Sequence, residues 1–292
     1  MAAESPRSTI IVPCFNDGAT LLATIASALD QERTEIVVVD DGSTDQATLD
    51  ALTHVSGLGI DVARQENGGP ASARMTGLRN TSAPYVFPLD ADDVLPAGAL
   101  ATLADVLDAN QAVSAVWGDL EMFGDVETVV RTPETIDPWS QTYLNELPGP
   151  ALFRRDALVE AGGWRLRAGY EDWDLWLSLA ERGIQGKRVP IVYYRYRIHG
   201  KRGWHRDMSS RHDEIVAEIR RLHPELFAHR RSNWVQSRAP WRLKLGLPLT
   251  TFIPLPRRAR LAVLHSLSNP KAVVGAAVER RMKSILGRLG TA

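Results

Sequence analysis

The stretch YVFPLDADD, residues 85–93, places three carboxylates directly after a short apolar run. Aromatic and β-branched residues dominate the run, and they favour a buried strand. Carboxylates at the carboxyl end of such a strand lie where open α/β sheets bind ligands. Because three like charges so close together repel one another, they are expected to retain a proton or to be neutralised by a cation. Mg²⁺ or Mn²⁺ would use one or two of these carboxylates together with phosphate oxygens, whereas a solvated acidic turn is the alternative.

The residues on either side of this stretch alternate between strand and helix patterns. Strands are predicted at 9–12, 35–39, 60–63, 112–117 and 189–196, and helices at 19–29, 71–79, 100–107 and 171–182, with a short one after 153 and another ending near 52. Ser43 or Thr44 is expected to cap that last helix. Residues 121–150 carry four prolines and are predicted to be an irregular, substrate-facing loop. The alternation predicts an α/β fold with a mostly parallel central sheet and helices on both faces.

Charge is distributed unevenly along the 292 residues. Residues 1–204 hold 17 Lys+Arg and 29 Asp+Glu, whereas residues 205–292 hold 17 and 6. This asymmetry predicts a main domain over 1–204 and a basic, helix-rich segment over 205–292 that has its own partner.

Cys14 is the only cysteine, so no intrachain disulfide can form, and a buried thiol in a reducing compartment is expected. Since no run resembles a signal peptide or a membrane span, the sequence predicts a cytoplasmic protein.

Two common nucleotide-binding patterns are absent from the sequence. Neither Gly-x-x-x-x-Gly-Lys-Ser/Thr nor, after the first strand, Gly-x-Gly-x-x-Gly occurs, which argues against a P-loop ATPase and a nicotinamide dehydrogenase. Polar residues instead follow the predicted strands at 15–16, 40–41 and 90–92. Asp41 can accept hydrogen bonds from a base or a ribose, or it can cap a helix. Arg74 can approach a diphosphate, or it can form a surface ion pair.

The order of these motifs resembles that of the family 2 glycosyltransferases. The matching segments are IVPCFN (11–16), VVVDDGSTD (37–45), NGGPASAR (67–74), DADD (90–93), GGW (162–164), ED (171–172) and YRYRIH (194–199). The resemblance covers about residues 8–202 and implies the GT-A fold. It also implies a nucleotide-diphospho-sugar donor, a divalent metal, Mn²⁺ or Mg²⁺, and inversion at the anomeric carbon. Residues 1–93 would form the nucleotide-sugar-binding half, and residues 94–204 the acceptor-binding half.

The resemblance also implies roles for individual residues. The nucleotide-sugar-binding set comprises Pro13, Phe15, Asn16, Asp41, Arg74, Asp90 and Asp92. Within this set the ring of Phe15 would pack near the base, and Arg74 would face the diphosphate. Asp92 would bind the metal, with Asp90 near both the ribose and the metal. His199 is a further candidate metal ligand, for which an ordinary exposed loop histidine is the alternative.

The pair Glu171 and Asp172 matches the acidic catalytic motif of that family, with Asp172 as general base. An inverting transfer needs such a base to deprotonate the acceptor hydroxyl on the face opposite the leaving group. The like-charged neighbour and the nearby tryptophans should raise the pKa of the base. A charge pair that merely stabilises a helix N-terminus is the alternative. Asp174 is expected to point elsewhere, so that Asp174→Asn would be mild.

The expected partners follow from these assignments. The donor would be a nucleotide-diphospho-sugar, with a UDP-sugar favoured, and the acceptor a carbohydrate or glycolipid in polysaccharide or glycoconjugate synthesis. The basic segment, rich in Trp and Leu, suits an anionic membrane surface on the inner face of the cell membrane, whereas a helical appendage packed on the acidic domain is the alternative. Nucleic acid is not an expected partner. A sugar-phosphate nucleotidyltransferase and a non-catalytic nucleotide-sugar-binding protein are the rival functions.

Overall fold

In the computed structural model, the residues described are 5–198 and 211–252, together with residues 263, 266 and 267. The strands are β1 Ser8–Cys14, β2 Thr34–Asp40, β3 Asp61–Arg64, β4 Tyr85–Pro88, β5 Val113–Gly124, β6 Thr128–Val130, β7 Leu152–Arg154 and β8 Gln185–Ile198. The helices are α1 Gly18–Leu29, α2 Gln46–Gly57, α3 Gly69–Asn80, α4 Ala99–Ala109, α5 Arg155–Glu160, α6 Glu171–Glu181, α7 His212–Leu222, α8 Pro224–Ala228, α9 Arg230–Gln236 and α10 Trp241–Phe252.

In the described part of the chain, these strands form one sheet in the order β3-β2-β1-β4-β7-β5-β6, with β8 paired to β5. The pairings β1–β2, β2–β3, β1–β4 and β5–β8 are parallel, whereas β7 and β6 pair antiparallel with their neighbours. Helices flank the sheet, so the predicted α/β fold with a mostly parallel sheet is confirmed. Because β1 lies between β2 and β4, the strand order reverses beside it, and ligands bind at such a switch point.

The central strand β1 is buried along its whole length, as its apolar composition predicts. Ile10, Ile11 and Val12 have no exposed surface. They belong to one core cluster that also contains Leu21 and Ile25 of α1. This packing fixes the carboxyl end of β1, where the candidate site begins.

Two local predictions are wrong. Helix α2 is capped by Asp45, whose carboxylate accepts a hydrogen bond from Thr48 N (2.9 Å), and not by Ser43 or Thr44. The N-cap residue is the one directly before Gln46, and the hydroxyl of Ser43, further from the helix, accepts from Asn16 N instead. Residues 121–150 are also more regular than predicted, since β5 continues to Gly124 and β6 pairs with it. The end of β5 is ordered because it pairs along β8.

The chain divides into two compact units. The first comprises residues 1–136 and 147–228, and the second comprises residues 137–146 and 229–292. Helices α7 and α8 belong to the first unit because Ile215, Ile219 and Leu226 pack against α6. This division differs from the predicted boundary after residue 204. The separate role of residues 205–292 stays a prediction.

In the second unit, Leu243 and Leu247 of α10 are buried against Trp139. Asp137 accepts hydrogen bonds from Ser237 Oγ and Arg238 N. Within the described residues, no helix is long and apolar enough to cross a membrane.

Candidate active site

The site begins where β1, β2 and β4 end side by side. Phe15 follows β1 with 44% of its surface exposed, whereas Pro13, one of the predicted nucleoside contacts, is buried inside the strand. Asn16 adopts the left-handed conformation (φ 58°), which asparagine tolerates better than most residues. Its side-chain oxygen accepts hydrogen bonds from Thr44 N (2.9 Å) and Asp45 N (3.2 Å). Asn16 therefore joins the loops after β1 and β2 and leaves the ring of Phe15 exposed at the edge.

Asp41 is buried just after β2. Its carboxylate accepts hydrogen bonds from Gly68 N (2.9 Å), Gly69 N (2.8 Å) and Gln65 Nε2 (2.7 Å). These contacts hold the start of α3, whose N-cap residue is Gly68. The carboxylate thereby positions the Gly-Gly-Pro turn that leads to Arg74.

The three aspartates after β4 have different environments. Asp93 has no exposed surface, and its carboxylate accepts hydrogen bonds from Tyr194 Oη (2.8 Å) and Arg197 N (2.6 Å). Burial, and then the charges of Asp92 and Asp90, raise the pKa of Asp93 to about 8, against these hydrogen bonds. Asp90 and Asp92 are only half-buried, so they are the members of the cluster that a ligand can reach. Asp93 is thus a structural anchor, a role that the sequence pattern does not predict.

Arg74 connects the two halves of the site. It is 8% exposed, and its terminal nitrogens donate to Asp90 Oδ1 and to Glu171 Oε1, both at 2.7 Å. Among the described residues, its Nε is a buried donor without a hydrogen-bond partner. The surface ion-pair alternative is therefore wrong, because Glu171, 97 residues away in the sequence, is buried with it. A single guanidinium links the aspartate cluster after β4 to the start of α6.

Burial governs the ionisation of Glu171. It raises the pKa of this carboxyl, the guanidinium of Arg74 opposes the increase, and the charge of Asp172 adds to it. A carboxylate that is buried and engaged by Arg74 is poorly placed to take a proton from an acceptor. Its position suits the orientation of Arg74 instead.

Asp172 lies in the first turn of α6, next to Glu171. It is half-buried, and its Oδ1 accepts a hydrogen bond from Trp173 N (2.8 Å). The preceding residue, Tyr170, has a left-handed conformation (φ 57°), which is uncommon for a bulky side chain and is often found at functional sites. Gly149 lies beside the other carboxylate oxygen, so a Cβ at that position would sit 3.5 Å from Asp172 Oδ2. Asp172 therefore lies between the turn at Tyr170 and the backbone at Gly149.

The expectation that Asp174→Asn would be mild is wrong. Asp174 has no exposed surface, and Arg165 and His223 donate hydrogen bonds to its carboxylate. Although burial raises it, these hydrogen bonds hold the pKa of Asp174 below its usual range. Replacement of Asp174 would disturb a buried network and cannot serve as a control for Asp172.

The candidate metal ligands are only partly described by the structure. His199 lies outside the described residues. Within them, no group of three or more His, Cys, Asp or Glu side chains is arranged to hold a metal ion. The half-buried pair Asp90 and Asp92 nevertheless offers hard carboxylate oxygens, and Mg²⁺ and Mn²⁺ bind such pairs together with substrate phosphates. The residues present therefore fit a metal that a diphosphate also ligates.

Comparison with known proteins identifies the family of the chain. The family model described as "Glycosyl transferase family 2" matches residues 9–162. The succinoglycan biosynthesis protein ExoU of Rhizobium meliloti is 30% identical over 252 residues, 76% of this chain and 69% of that protein. The poly-beta-1,6-N-acetyl-D-glucosamine synthase of Staphylococcus aureus is 27% identical over 202 residues, and the aligned region spans 48% of its length and 63% of this chain.

Solved structures show the same fold. S. aureus TarS 1–349 in complex with UDP-GlcNAc has a TM-score of 0.62 at 18% identity, covering 91% of this chain and 74% of that one. The mannosyltransferase PcManGT from Pyrobaculum calidifontis, in complex with GDP-Man and Mn²⁺, has a TM-score of 0.54 at 20% identity, covering 93% and 87%. The chain belongs to glycosyl transferase family 2, and it is a glycosyltransferase with the GT-A fold.

Proposed function

We propose that this glycosyltransferase moves a sugar from a nucleotide-diphospho-sugar to an acceptor hydroxyl with inversion and with the help of a divalent metal. The observation that carries the proposal is the bridge from Asp90 through Arg74 to Glu171, next to Asp172. It joins a carboxylate pair suited to a metal diphosphate to a carboxylate suited to a general base. The acceptor would be a carbohydrate or glycolipid in polysaccharide or glycoconjugate synthesis, the setting that the name of ExoU indicates for that relative.

Asp172 is the proposed base. As the acceptor oxygen forms its bond to the anomeric carbon, the hydroxyl proton passes to the Asp172 carboxylate. The bond from the anomeric carbon to the diphosphate breaks in the same displacement, and the nucleoside diphosphate leaves with the electron pair. A base that is half-buried at a helix N-terminus is held in a fixed orientation, which favours such a transfer. Glu171 serves this step by holding Arg74.

Asp90 and Asp92 are the residues that would hold the metal, with the diphosphate oxygens completing its coordination. A bound Mn²⁺ or Mg²⁺ would supply Lewis-acid stabilisation of the leaving diphosphate. Arg74 lies beside Asp90 and would add its positive charge to the same oxygens. Because Asp90 already accepts from Arg74, donor binding would share this guanidinium between the carboxylate and the phosphate. His199 remains a proposed additional ligand.

Phe15 and Asp41 are the proposed nucleoside contacts, with Pro13 and Asn16 shaping the loop that carries the exposed ring. A UDP-sugar is the first donor proposed, because the TarS structure contains UDP-GlcNAc, and a GDP-sugar follows, because PcManGT contains GDP-Man. Residues 1–93 would thus form the donor half and residues 94–204 the acceptor half.

The test is Asp172→Asn, which keeps the shape of the side chain and removes its basicity. Transfer should fall by roughly 10²–10⁴-fold, the usual contribution of a positioned base, while UDP binding stays within about twofold of wild type. Asp156→Asn is the matched control, since Asp156 also lies in the first turn of a helix and accepts from the next backbone N–H (2.7 Å). Unchanged turnover in Asp172→Asn, or equal damage in both variants, would remove Asp172 as the base.

The same enzyme is proposed to be cytoplasmic and to bind the inner face of the cell membrane through its basic segment. Residues 229–252 contain five Lys+Arg and no Asp or Glu. On α10, Trp241, Leu245 and Leu249 are exposed at a spacing of four residues, whereas Leu243 and Leu247 are buried. An exposed aromatic and aliphatic stripe among cations suits the interface of an anionic bilayer. Such an attachment would bring the enzyme to a glycolipid acceptor.

A further inference from the structure

Helices α6 and α7 both lie beyond residues 9–162, the region that the family model matches, and α7 packs on α6, the helix that carries Asp172. Ile215 and Ile219, four residues apart on one face of α7, are buried in the cluster that contains Trp173 and Leu177 of α6. Tyr170, directly before α6, donates or accepts a hydrogen bond with His212 Nδ1 (3.0 Å) at the start of α7. The two helices therefore meet both along their apolar faces and beside the turn that carries Asp172.

His223, the residue that follows α7, has no exposed surface and lies between two carboxylates of α6. Its Nε2 is 2.9 Å from Asp174 Oδ1, and its Nδ1 is 2.9 Å from Glu181 Oε2. Carboxylate oxygens accept hydrogen bonds, so both ring nitrogens must donate, and a neutral imidazole has only one N–H. The geometry therefore requires the imidazolium form if both carboxylates are ionised.

Charged side chains contact the ring from more than one side. Among the residues that the structure describes, the charged groups in contact with the ring are Asp174, Glu181 and Arg165, two carboxylates and one guanidinium. Arg165 is engaged by Asp174 through both Nε (3.1 Å) and a terminal nitrogen (2.8 Å). The end of α7, where carbonyl groups point outward, also favours a cation.

We propose that His223, as an imidazolium, clasps α7 onto α6 and thereby fixes the position of Asp172, so that α7 is part of the catalytic unit. His223 and α7 act here as positioning elements, and the inference rests on the proposed role of Asp172 as base. Asp174 is the centre of the clasp, because it binds Arg165 from the loop before α6 as well as His223 from the end of α7. Displacement of α7 would release the turn at Tyr170, two residues before the base. A displacement of about 1 Å in a catalytic group can reduce turnover about 10²-fold.

The first test is nitrogen-15 NMR of the histidine side chains of the full-length protein near neutral pH, with His223→Phe used to assign the signals. Two protonated ring nitrogens on His223 are expected. A single-tautomer neutral pattern would overturn the proposal. This measurement uses wild-type protein for its result, and Glu181→Gln can replace His223→Phe for assignment if the latter does not fold.

The second test is kinetic, with UDP-GlcNAc as the donor probe and release of UDP as the readout. His223→Phe should lower kcat about ten- to a hundredfold while the Kd for UDP, which binds at the other half of the site, stays within about twofold. His223→Gln keeps one donor and should fall between wild type and His223→Phe, and Arg221→Gln, on the exposed side of α7, should match wild type. Glu181→Gln, which leaves the contact between His223 and Asp174 in place, should lower kcat less than His223→Phe.

The outcomes separate the two proposals. If Asp172→Asn loses turnover and the folded His223 and Glu181 variants retain wild-type kcat, the clasp is wrong and the base assignment stands. If Asp172→Asn retains wild-type turnover, the base assignment itself fails. A His223 variant that loses thermal stability but keeps kcat at temperatures where it is folded would show a purely structural role and would also overturn the clasp.

Discussion

The burial of the ion pair between Arg74 and Glu171 predicts how much unfolding free energy is lost when either residue is replaced. The side chains of Arg74 and Glu171 are each 10% exposed, whereas that of Asp90 is 38% exposed. Arg74→Met would leave Glu171 as an uncompensated buried carboxylate, which typically costs about 3–5 kcal/mol of unfolding free energy. For a domain of this size that is a decrease in Tm of roughly 6–20 °C. Glu171→Gln keeps an acceptor for Arg74 and should cost only about 1–3 kcal/mol.

Asp90→Asn should cost less than about 1 kcal/mol, because that side of the pair is open to solvent. The double variant Arg74→Met/Glu171→Gln should be more stable than Arg74→Met alone, because the unpaired buried charge is removed with its partner. The measurement is urea unfolding of all four variants at fixed pH with comparison of m-values. Equal stability of Arg74→Met and wild type, or a double variant that loses the full sum of both costs, would refute the buried bridge.

The loss of stability in Arg74→Met should depend on pH. Burial raises the folded-state pKa of Glu171, and loss of Arg74 removes the group that opposes that increase. A carboxyl whose folded-state pKa is raised stabilises the fold fully only when the pH is below its unfolded-state pKa of 4.5. That stabilisation is lost as the pH rises through the folded-state pKa. The stability difference between wild type and Arg74→Met should therefore widen as the pH rises above 4.5. A difference that narrows instead would contradict the assigned cause.

Three further predictions concern other parts of the chain. Asp92→Asn should weaken Mn²⁺-dependent UDP binding and remove most metal-stimulated turnover while the fold survives, and wild-type turnover at every metal concentration would exclude Asp92 as a ligand. Cys14 should resist iodoacetamide at pH 8 in the native state and react after unfolding, because burial, followed by the charge of Asp17, raises its thiol pKa to about 12 and only the thiolate is nucleophilic; equal reactivity of the native and unfolded protein at pH 8 would contradict this. Serine at Trp241, Leu245 and Leu249 together should abolish sedimentation with anionic vesicles, with zwitterionic vesicles as the baseline, and full retention would remove the membrane proposal.

The sequence predicts the residues at the ends of the strands better than the contacts between distant parts of the site. The alternation of strands and helices places Phe15, Asp41 and Asp90 at neighbouring strand ends, because parallel strands align their carboxyl ends. Which aspartate of residues 90–93 turns inward is a different question. Asp93 is buried because Tyr194 and Arg197, about 100 residues later, contact its carboxylate from β8. Nothing local distinguishes it from Asp92.

The same limit applies to Arg74 and Asp174. A cation after a Gly-Gly-Pro turn is equally suited to solvent or to a phosphate, and its burial depends on Glu171 in a distant helix. Helix periodicity points the side chain of Asp174 away from that of Asp172, and for this reason the sequence predicts a mild effect of Asp174→Asn. The same difference in direction turns Asp174 toward His223. The spacing of Ile215 and Ile219 indicates an amphipathic helix, but not the surface of α6 that it covers. Helix faces are readable from the sequence, whereas their partners are set by the tertiary packing.

The most direct test of the proposed function is the identity of the nucleotide released when the full-length protein is incubated with UDP-GlcNAc, Mn²⁺ and a carbohydrate acceptor panel. Transfer by displacement at the anomeric carbon predicts UDP, together with a product of inverted anomeric configuration, and loss of both with Asp172→Asn. Release of pyrophosphate on incubation with UTP and a sugar phosphate would indicate a nucleotidyltransferase instead. Tight UDP binding without any release of UDP, across UDP- and GDP-sugar donors, would contradict catalysis.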